Sequence, residues 1–374
     1  MRVLHVITGL GVGGAERQLR ALLRRLPVTC EVLTLTNPGP VADDLRADGI
    51  PVTHLGMGGN RDVAALPRLT RVIREGRYDV VHTHLYRACV YGRIAARTAG
   101  VRAVLATEHS LGEHTIEGRP LSRGTRALYR ATERFGSATV AVSATVAERL
   151  RAWGVPAERI HLIPNGIEAE RFRFDAVARQ ATRARLGLPD DAFVVGGMGR
   201  LVPDKRFDVL LRAVARQPGA RLLLVGGGPQ RADLHLLAER LGMSGRLADV
   251  GECSEPEVPG LLAAMDVFVS ASAEEAFGLA VLEALAAGLP VLHVACPAVD
   301  ELPAHEVPGA RRVGSGVREL ADALRAEQAS GVRRLPVPPA VHRYDISGAA
   351  DRIAGLYARI TGAVPTGARS DSKR

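Results

Sequence analysis

Short apolar runs alternate with helix-patterned stretches along this chain, and the alternation occurs twice. In the first half, Val3–Ile7, Glu31–Thr36, Val80–His84, Ala103–Thr107 and Thr139–Val142 read as strands with helical patterns between them. Such alternation implies a doubly wound parallel sheet. The second half restarts it, with strands at Phe193–Gly197, Arg221–Val225, Val267–Ser270 and Val291–Val294. A chain of 374 residues is too long for one comfortable core. Two α/β domains are therefore expected, 1–166 and 167–345, joined at the turn Ile163-Pro-Asn165-Gly166-Ile167. Leu335-Pro-Val-Pro-Pro339 breaks any regular element, and an amphipathic helix, Ser347 to Ile360, falls within 346–364. Residues 365–374 read as a disordered tail.

The net charge of +9 is unevenly placed. Residues 1–174 hold 25 Arg against 16 Asp+Glu, and the remainder balances 24 against 24. Nucleic acid is not the expected partner, because no aromatic platform or recognition module accompanies the charge. A membrane surface or an anionic acceptor fits better. Arg119, Arg123, Arg126, Arg130 and Arg134 would form one basic stripe if their segment is helical. Such a stripe suits peripheral contact with anionic lipid; a solvated face is the alternative. No apolar run reaches membrane-spanning length, and Met1-Arg-Val-Leu-His-Val-Ile enters a strand at once. Cys30, Cys89, Cys253 and Cys296 lack metal or redox spacing, which fits a reducing cytoplasm.

The chemistry gathers in the second half. Asp266-Val-Phe-Val-Ser270 reads as a buried strand, and Leu279 to Ala287 as a helix closed by Gly288. That order puts Glu275 at the carboxyl edge of the sheet and Phe277, Gly278 and Leu279 at a helix N-terminus. Unpaired amides and the positive dipole end there suit phosphate oxygens. Glu283 lies five residues past Gly278, about 7.5 Å along a helix, which is within reach of ribose hydroxyls. Glu274 is the neighbouring carboxylate, but the eight-residue offset to Glu283 selects Glu275. The segment Gly199-Arg200-Leu-Val-Pro-Asp-Lys205 follows another strand and supplies two cations for a departing diphosphate. The only lysines are Lys205 and Lys373. Where arginine fills nearly every cationic role, a retained lysine suits a compact point charge, with chance survival as the plain alternative.

The Gly-Arg-x4-Lys motif, the Glu-x7-Glu pair and Gly13-Gly14-Ala15-Glu16 resemble those of the retaining nucleotide-sugar glycosyltransferases of family 4. The resemblance runs from Met1 to about residue 300. It implies the GT-B fold: two Rossmann-like domains facing a cleft, with the last helix crossing back to the first domain. It further implies an acceptor-binding first domain and a second domain holding a nucleoside-diphosphate sugar, a UDP-sugar being favoured. Gly13, Gly14, Arg200, Lys205, Glu275, Phe277, Gly278, Leu279 and Glu283 become donor-binding residues. His109, Arg200, Lys205 and Glu275 become the catalytic set, with His109 reaching the transferred sugar. No cofactor and no metal are implied, and the acceptor is a hydroxyl of a glycan, lipid-linked or natural-product molecule.

Several features pull elsewhere. Gly9-Leu-Gly11-Val-Gly-Gly14 matches a dinucleotide fingerprint, but the second strand ends in Thr34-Leu-Thr36-Asn37-Pro38 without the required carboxylate. Glu16 can complement the helix dipole. His82 and His84 share a strand face, so a metal with His109 as third ligand is conceivable. No Asp-x-Asp accompanies them, and a metal is not expected. An inverting transferase or an epimerase would need a base, for which Glu108 or His109 would serve. A silent binding subunit is the non-enzymatic alternative. After Leu289-Pro-Val-Leu292 the chain has His293-Val-Ala-Cys296-Pro where the resembled enzymes present a glycine pair. That departure bears on the donor loop and on sugar specificity.

Overall fold

The computed structural model describes residues 1–59, 62–113, 115–117 and 119–362. The tail 365–374 and Lys373 lie outside them. Two units separate: Met1–Pro164 together with the segment from Ile346, and Asn165–Asp345.

In the first unit the strands are β1 (Arg2–Ile7), β2 (Thr29–Thr34), β3 (Val52–His54), β4 (Val80–His84), β5 (Ala103–Glu108), β8 (Ala138–Ala141) and β9 (Ile160–Leu162), with a two-residue hairpin of β6 (Thr115–Ile116) and β7 (Arg119–Pro120) apart from them. The sheet order is β3-β2-β1-β4-β5-β8-β9, and every pairing in it is parallel. Successive strand residues point to opposite faces. Val3, Ile7, Val32, Val80, Leu105 and Val140 enter one core, while Leu4, Val6, Leu33, Val81 and Val104 enter another. Each such burial stabilises by about 1.5–3 kcal/mol. The helix Ile346–Thr361 lays Ile346, Ala349, Ala350, Ile353, Leu356 and Tyr357 on the first face. That i, i+3, i+4, i+7 spacing is the apolar stripe of a core-facing helix. The last helix thus belongs to the N-terminal unit, as the family resemblance implies.

The second unit contains β10 (Val194–Met198), β11 (Arg221–Val225), β12 (Leu247–Gly251), β13 (Val267–Ser270), β14 (Val291–His293) and β15 (Ala310–Arg312). Its order is β12-β11-β10-β13-β14-β15, again parallel throughout. Asp266, 3% exposed, anchors the start of β13. It accepts from Arg179 and Arg183, both at 2.7 Å, and from the Val194 amide at 2.8 Å. Two guanidiniums and an amide satisfy a carboxylate that burial alone would make costly.

Strands β3, β9, β12 and β15 were not visible in the sequence. All four are sheet edges, and three of them are only three residues long and largely accessible. An edge strand covered on fewer sides needs no continuous apolar run, so its pattern is weak.

Candidate functional site

Strand order reverses between β10 and β13 in the second unit, and in open α/β sheets ligands bind at such a switch point. Arg200 and Lys205 lie on the loop after β10, and Glu275 on the loop after β13. Lys205 Nζ forms an ion pair with Glu275 Oε1, joining the two loops. Their side chains keep 27% and 15% of their exposure, so both stay reachable from solvent. Arg200 is exposed on the same loop.

The Arg200 loop is fixed by backbone. Gly199 N–H donates to Val225 O at 2.9 Å, Leu201 N–H to Gly227 O at 2.7 Å, and Gln230 N–H to Leu201 O at 3.1 Å. Gly226 has φ +137°, and a Cβ there would stand 2.0 Å from the Gly199 carbonyl oxygen. At Gly228 the corresponding distance to Leu201 O is 2.5 Å. The triple-glycine turn Gly226–Gly228 that follows β11 therefore clamps the cationic loop.

Gly278 is the N-cap of the helix Leu279–Ala286, with φ +109°. The amides of Leu279 and Ala280 precede the first intrahelical bonds, which run from Val281 and Leu282 to Gly278 O. Phe277, 4% exposed, packs edge-on against Tyr344 at 5.2 Å. Glu283, half-buried, follows Leu279 by four positions, so it stands about one turn along the helix. The segment that departs from the family pattern supports this terminus. A Cβ on Gly278 would stand 2.3 Å from Cys296 Sγ. Cys296 Sγ donates to Phe277 O at 3.4 Å, and the Ala298 amide to the same carbonyl at 2.9 Å. Asp300 accepts from the Cys296 amide at 2.8 Å. Burial pushes the Cys296 thiol well up, with Glu275 and Asp300 adding to it, so the sulfur packs as a neutral group.

In the first unit Gly13 caps the helix Gly14–Leu23. A Cβ on Gly13 would stand 2.3 Å from a Glu16 carboxylate oxygen, so Glu16 curls over its own helix N-terminus. The loop after β2 closes over the glycines: the Leu10 amide donates to Asn37 O at 2.9 Å. His109 follows β5, with Nε2 3.1 Å from His84 Nδ1. Its Nδ1 is buried and has no protein partner among the described residues. Burial lowers its imidazole to about 4. Glu108 faces the core at 1% exposure and accepts from Tyr129 Oη at 2.7 Å, which removes it as an accessible base.

The basic stripe is not as the sequence spacing suggests. Arg119 lies in β7, outside the helix Arg123–Glu133. Ser122 ends the non-helical segment by accepting from the Thr125 amide at 3.0 Å, with Pro120 just before it. Arg123, Arg126, Arg130 and Arg134 remain exposed. Arg126 donates to Ala152 O, and Arg130 lies against Gly154, both beside the C-terminal end of the helix Ala144–Ala152.

Two family models match. Residues 12–171 match Glycosyltransferase Family 4, and 178–326 match Glycosyl transferases group 1. The chain is 34% identical to a D-inositol 3-phosphate glycosyltransferase 1 of Catenulispora acidiphila, over 75% of this chain and 72% of that protein. The chain belongs to glycosyltransferase family 4. It is also 30% identical to the GDP-mannose:cellobiosyl-diphosphopolyprenol alpha-mannosyltransferase of Komagataeibacter xylinus, over 97% of this chain and 94% of that one. Among solved structures, Anabaena Alr3699/HepE in complex with UDP-glucose superposes with a TM-score of 0.83 at 25% identity, covering 96% of this chain and all of that one. Sucrose-phosphate synthase of Thermosynechococcus elongatus gives a TM-score of 0.79 at 22% identity, covering 97% and 100%, a likeness of fold.

Within this family-4 glycosyltransferase, sequence reasoning passed over Gly226 and Gly228, Cys296 as a packing group, Tyr344, and the imidazole of His5. All of them act through contacts between residues distant in the chain.

Proposed function

We propose that this family-4 glycosyltransferase is retaining and metal-independent, and moves a sugar from a UDP-sugar to a hydroxyl of a glycan, lipid-linked or natural-product acceptor. The observation that carries the reading is the Lys205–Glu275 ion pair, which brings the cationic loop and the loop leading to the Gly278 helix terminus to one sheet edge. In the proposed step the bond from the anomeric carbon to the diphosphate breaks. Arg200, Lys205 and the amides at Phe277, Gly278 and Leu279 stabilise the charge that grows on the leaving oxygen. Glu283 holds the ribose. Glu275 and His109 orient the sugar ring, roles carried over from the family resemblance, and Gly13 and Gly14 let substrate approach the backbone. The acceptor hydroxyl attacks from the face the leaving group vacates, and its proton passes to the departing phosphate oxygen.

A UDP-sugar is favoured because HepE holds UDP-glucose in its crystal, while the K. xylinus relative is named for GDP-mannose. Thermal-shift measurements against UDP, GDP, ADP and dTDP decide the base. At a ligand concentration 100 times Kd, binding adds about 2.7 kcal/mol, a shift of several degrees for UDP and little for the others. A larger shift with GDP would move the donor to a guanosine diphosphate sugar. Proton NMR of the product tests retention, since an inverted anomer would require a dedicated base. Binding without turnover across a broad acceptor panel would favour a silent subunit.

No helix of the described residues is long and apolar enough to cross a membrane. We place the enzyme in the cytoplasm, touching the inner membrane face through Arg123, Arg126, Arg130 and Arg134. Each basic group near an anionic surface contributes about 1 kcal/mol. Charge reversal at Arg123 and Arg134, which avoids the two arginines leaning on the neighbouring helix, should release the protein from phosphatidylserine vesicles in sedimentation. Equal sedimentation of variant and parent would end that part of the proposal.

A further inference from the structure

Four histidines and a tyrosine in the N-terminal unit form one hydrogen-bonded chain. It starts at His109 and runs from its Nε2 to His84 Nδ1 at 3.1 Å, then from His84 Nε2 to His5 Nδ1 at 3.0 Å. His5 Nε2 lies 3.5 Å from Tyr357 Oη. Tyr357 Oη lies 2.6 Å from His82 Nδ1, and His82 Nε2 lies 2.7 Å from Thr107 Oγ1. His5, His82, His84 and Tyr357 are each at most 1% exposed. One atom of the chain has no partner among the described residues: His109 Nδ1, itself buried.

A neutral imidazole carries one N–H and one lone pair, so each ring hands its polarity to the next. One proton therefore sets the whole series, and Tyr357 holds it. A hydroxyl donor makes a shorter bond than a ring N–H does. The 2.6 Å leg to His82 is thus the one along which Tyr357 donates, and the 3.5 Å leg is the one on which it accepts. His5, His84 and His109 then each carry their proton on Nε2. Resting on the proposed use of a sugar donor, we infer that Tyr357, His5 and His84 are positioning residues that hold His109 as its Nε2–H tautomer, leaving the Nδ1 lone pair to accept a hydrogen bond from a sugar hydroxyl. Tyr357 sits on the last helix, 275 positions from His82, so that helix acts on the site as well as on the core.

The cluster also resembles a three-histidine metal centre, because one nitrogen from each of His5, His82 and His84 lies within 4.8 Å of the others. Both nitrogens of every one of those rings are already engaged, so a cation would have to displace the bonds that define the chain.

The test is ¹⁵N NMR of the histidine-labelled full chain, parent against Tyr357→Phe and His84→Phe, with metal content measured on the same samples. The parent should show His109 with a protonated Nε2 and a bare Nδ1. Tyr357→Phe keeps the ring in the core and removes the deciding proton; His109 should then show a mixture of tautomers. With a sugar donor, kcat should fall in that variant at nearly unchanged donor KM, about twofold for an even mixture and towards tenfold, the loss of one neutral hydrogen bond to the transition state, as the other tautomer takes over. An unchanged His109 tautomer in both variants overturns the inference, as does a protonated Nδ1 in the parent. One bound zinc per chain, or full kcat despite a changed tautomer, overturns it equally. The tautomer readout needs no turnover, so it judges the chain of imidazoles even if the donor assignment fails.

Discussion

Replacing Lys205 with alanine is expected to slow sugar transfer about 10²–10³-fold, the usual loss when one preorganised donor to a developing oxyanion is removed. The ammonium sits at the strand-order reversal of the second unit, 27% exposed, on a loop held by three backbone bonds. It is therefore oriented before the diphosphate arrives, and stabilising the departing charge requires little reorganisation. The fall should appear in kcat more than in KM, because the charge grows only as the bond breaks. Lys205→Arg should not restore the rate, since a planar guanidinium does not replace a compact point charge beside Glu275. Steady-state rates with the nucleotide sugar selected by thermal shift, alongside melting temperatures, measure this. If Lys205→Ala keeps activity within roughly threefold of the parent yet melts many degrees lower, the pair with Glu275 is structural and the catalytic assignment fails.

The second large effect is on stability. Acid should unfold the N-terminal unit near pH 5. Burial drives the His5 imidazole down to about 3. It also holds His82 and His84 well below their ordinary value, with repulsion from neighbouring imidazoles adding to the effect. In the unfolded chain these rings protonate near 6.5. Below about pH 6.5 the unfolded state thus binds more protons than the folded one, with the His109 imidazole, held to about 4, adding to the three core rings, and stability rises with pH. The slope is about 1.4 kcal/mol per pH unit for each ring that stays neutral in the fold. Dropping from pH 6.5 to 4.5 therefore removes several kcal/mol, comparable to the whole stability of an ordinary domain. Denaturant titrations at stepped pH, followed through Trp153 of the same unit, would show it. His82→Gln should lessen the slope by about one proton. A stability that stays flat between pH 7 and 5 would mean that water or a cation reaches these rings.

The two effects separate what was visible in the residues from what was not. Most buried strands announced themselves as apolar runs. The cationic loop and the paired glutamates were placed because they follow such runs directly, and strand-loop-helix order suffices to put them at a sheet's carboxyl edge. A role that depends on a neighbour far along the chain leaves no such local mark. Five arginines at helical spacing suggested one stripe, yet Ser122 starts the helix after Arg119 has gone into a hairpin. Cys296 stood out only as a missing glycine, and it is the group on which Gly278 rests.

His5 shows where the boundary falls. Its parity with Val3 and Ile7 puts it on a buried face, and parity can be read from the sequence. That it stands opposite His82 follows from strand register, and that Tyr357 reaches both follows from where the last helix lands. The alternation of strands and helices and the motifs that mark a nucleotide-sugar enzyme are written in the chain itself. These depend on local periodicity and short spacings, which the chain carries wherever it folds. Which histidines meet, what clamps the cationic loop and what supports the helix terminus emerge from the folded sheets alone. Those contacts join residues tens to hundreds of positions apart, and their geometry exists only once the sheets have fixed their register.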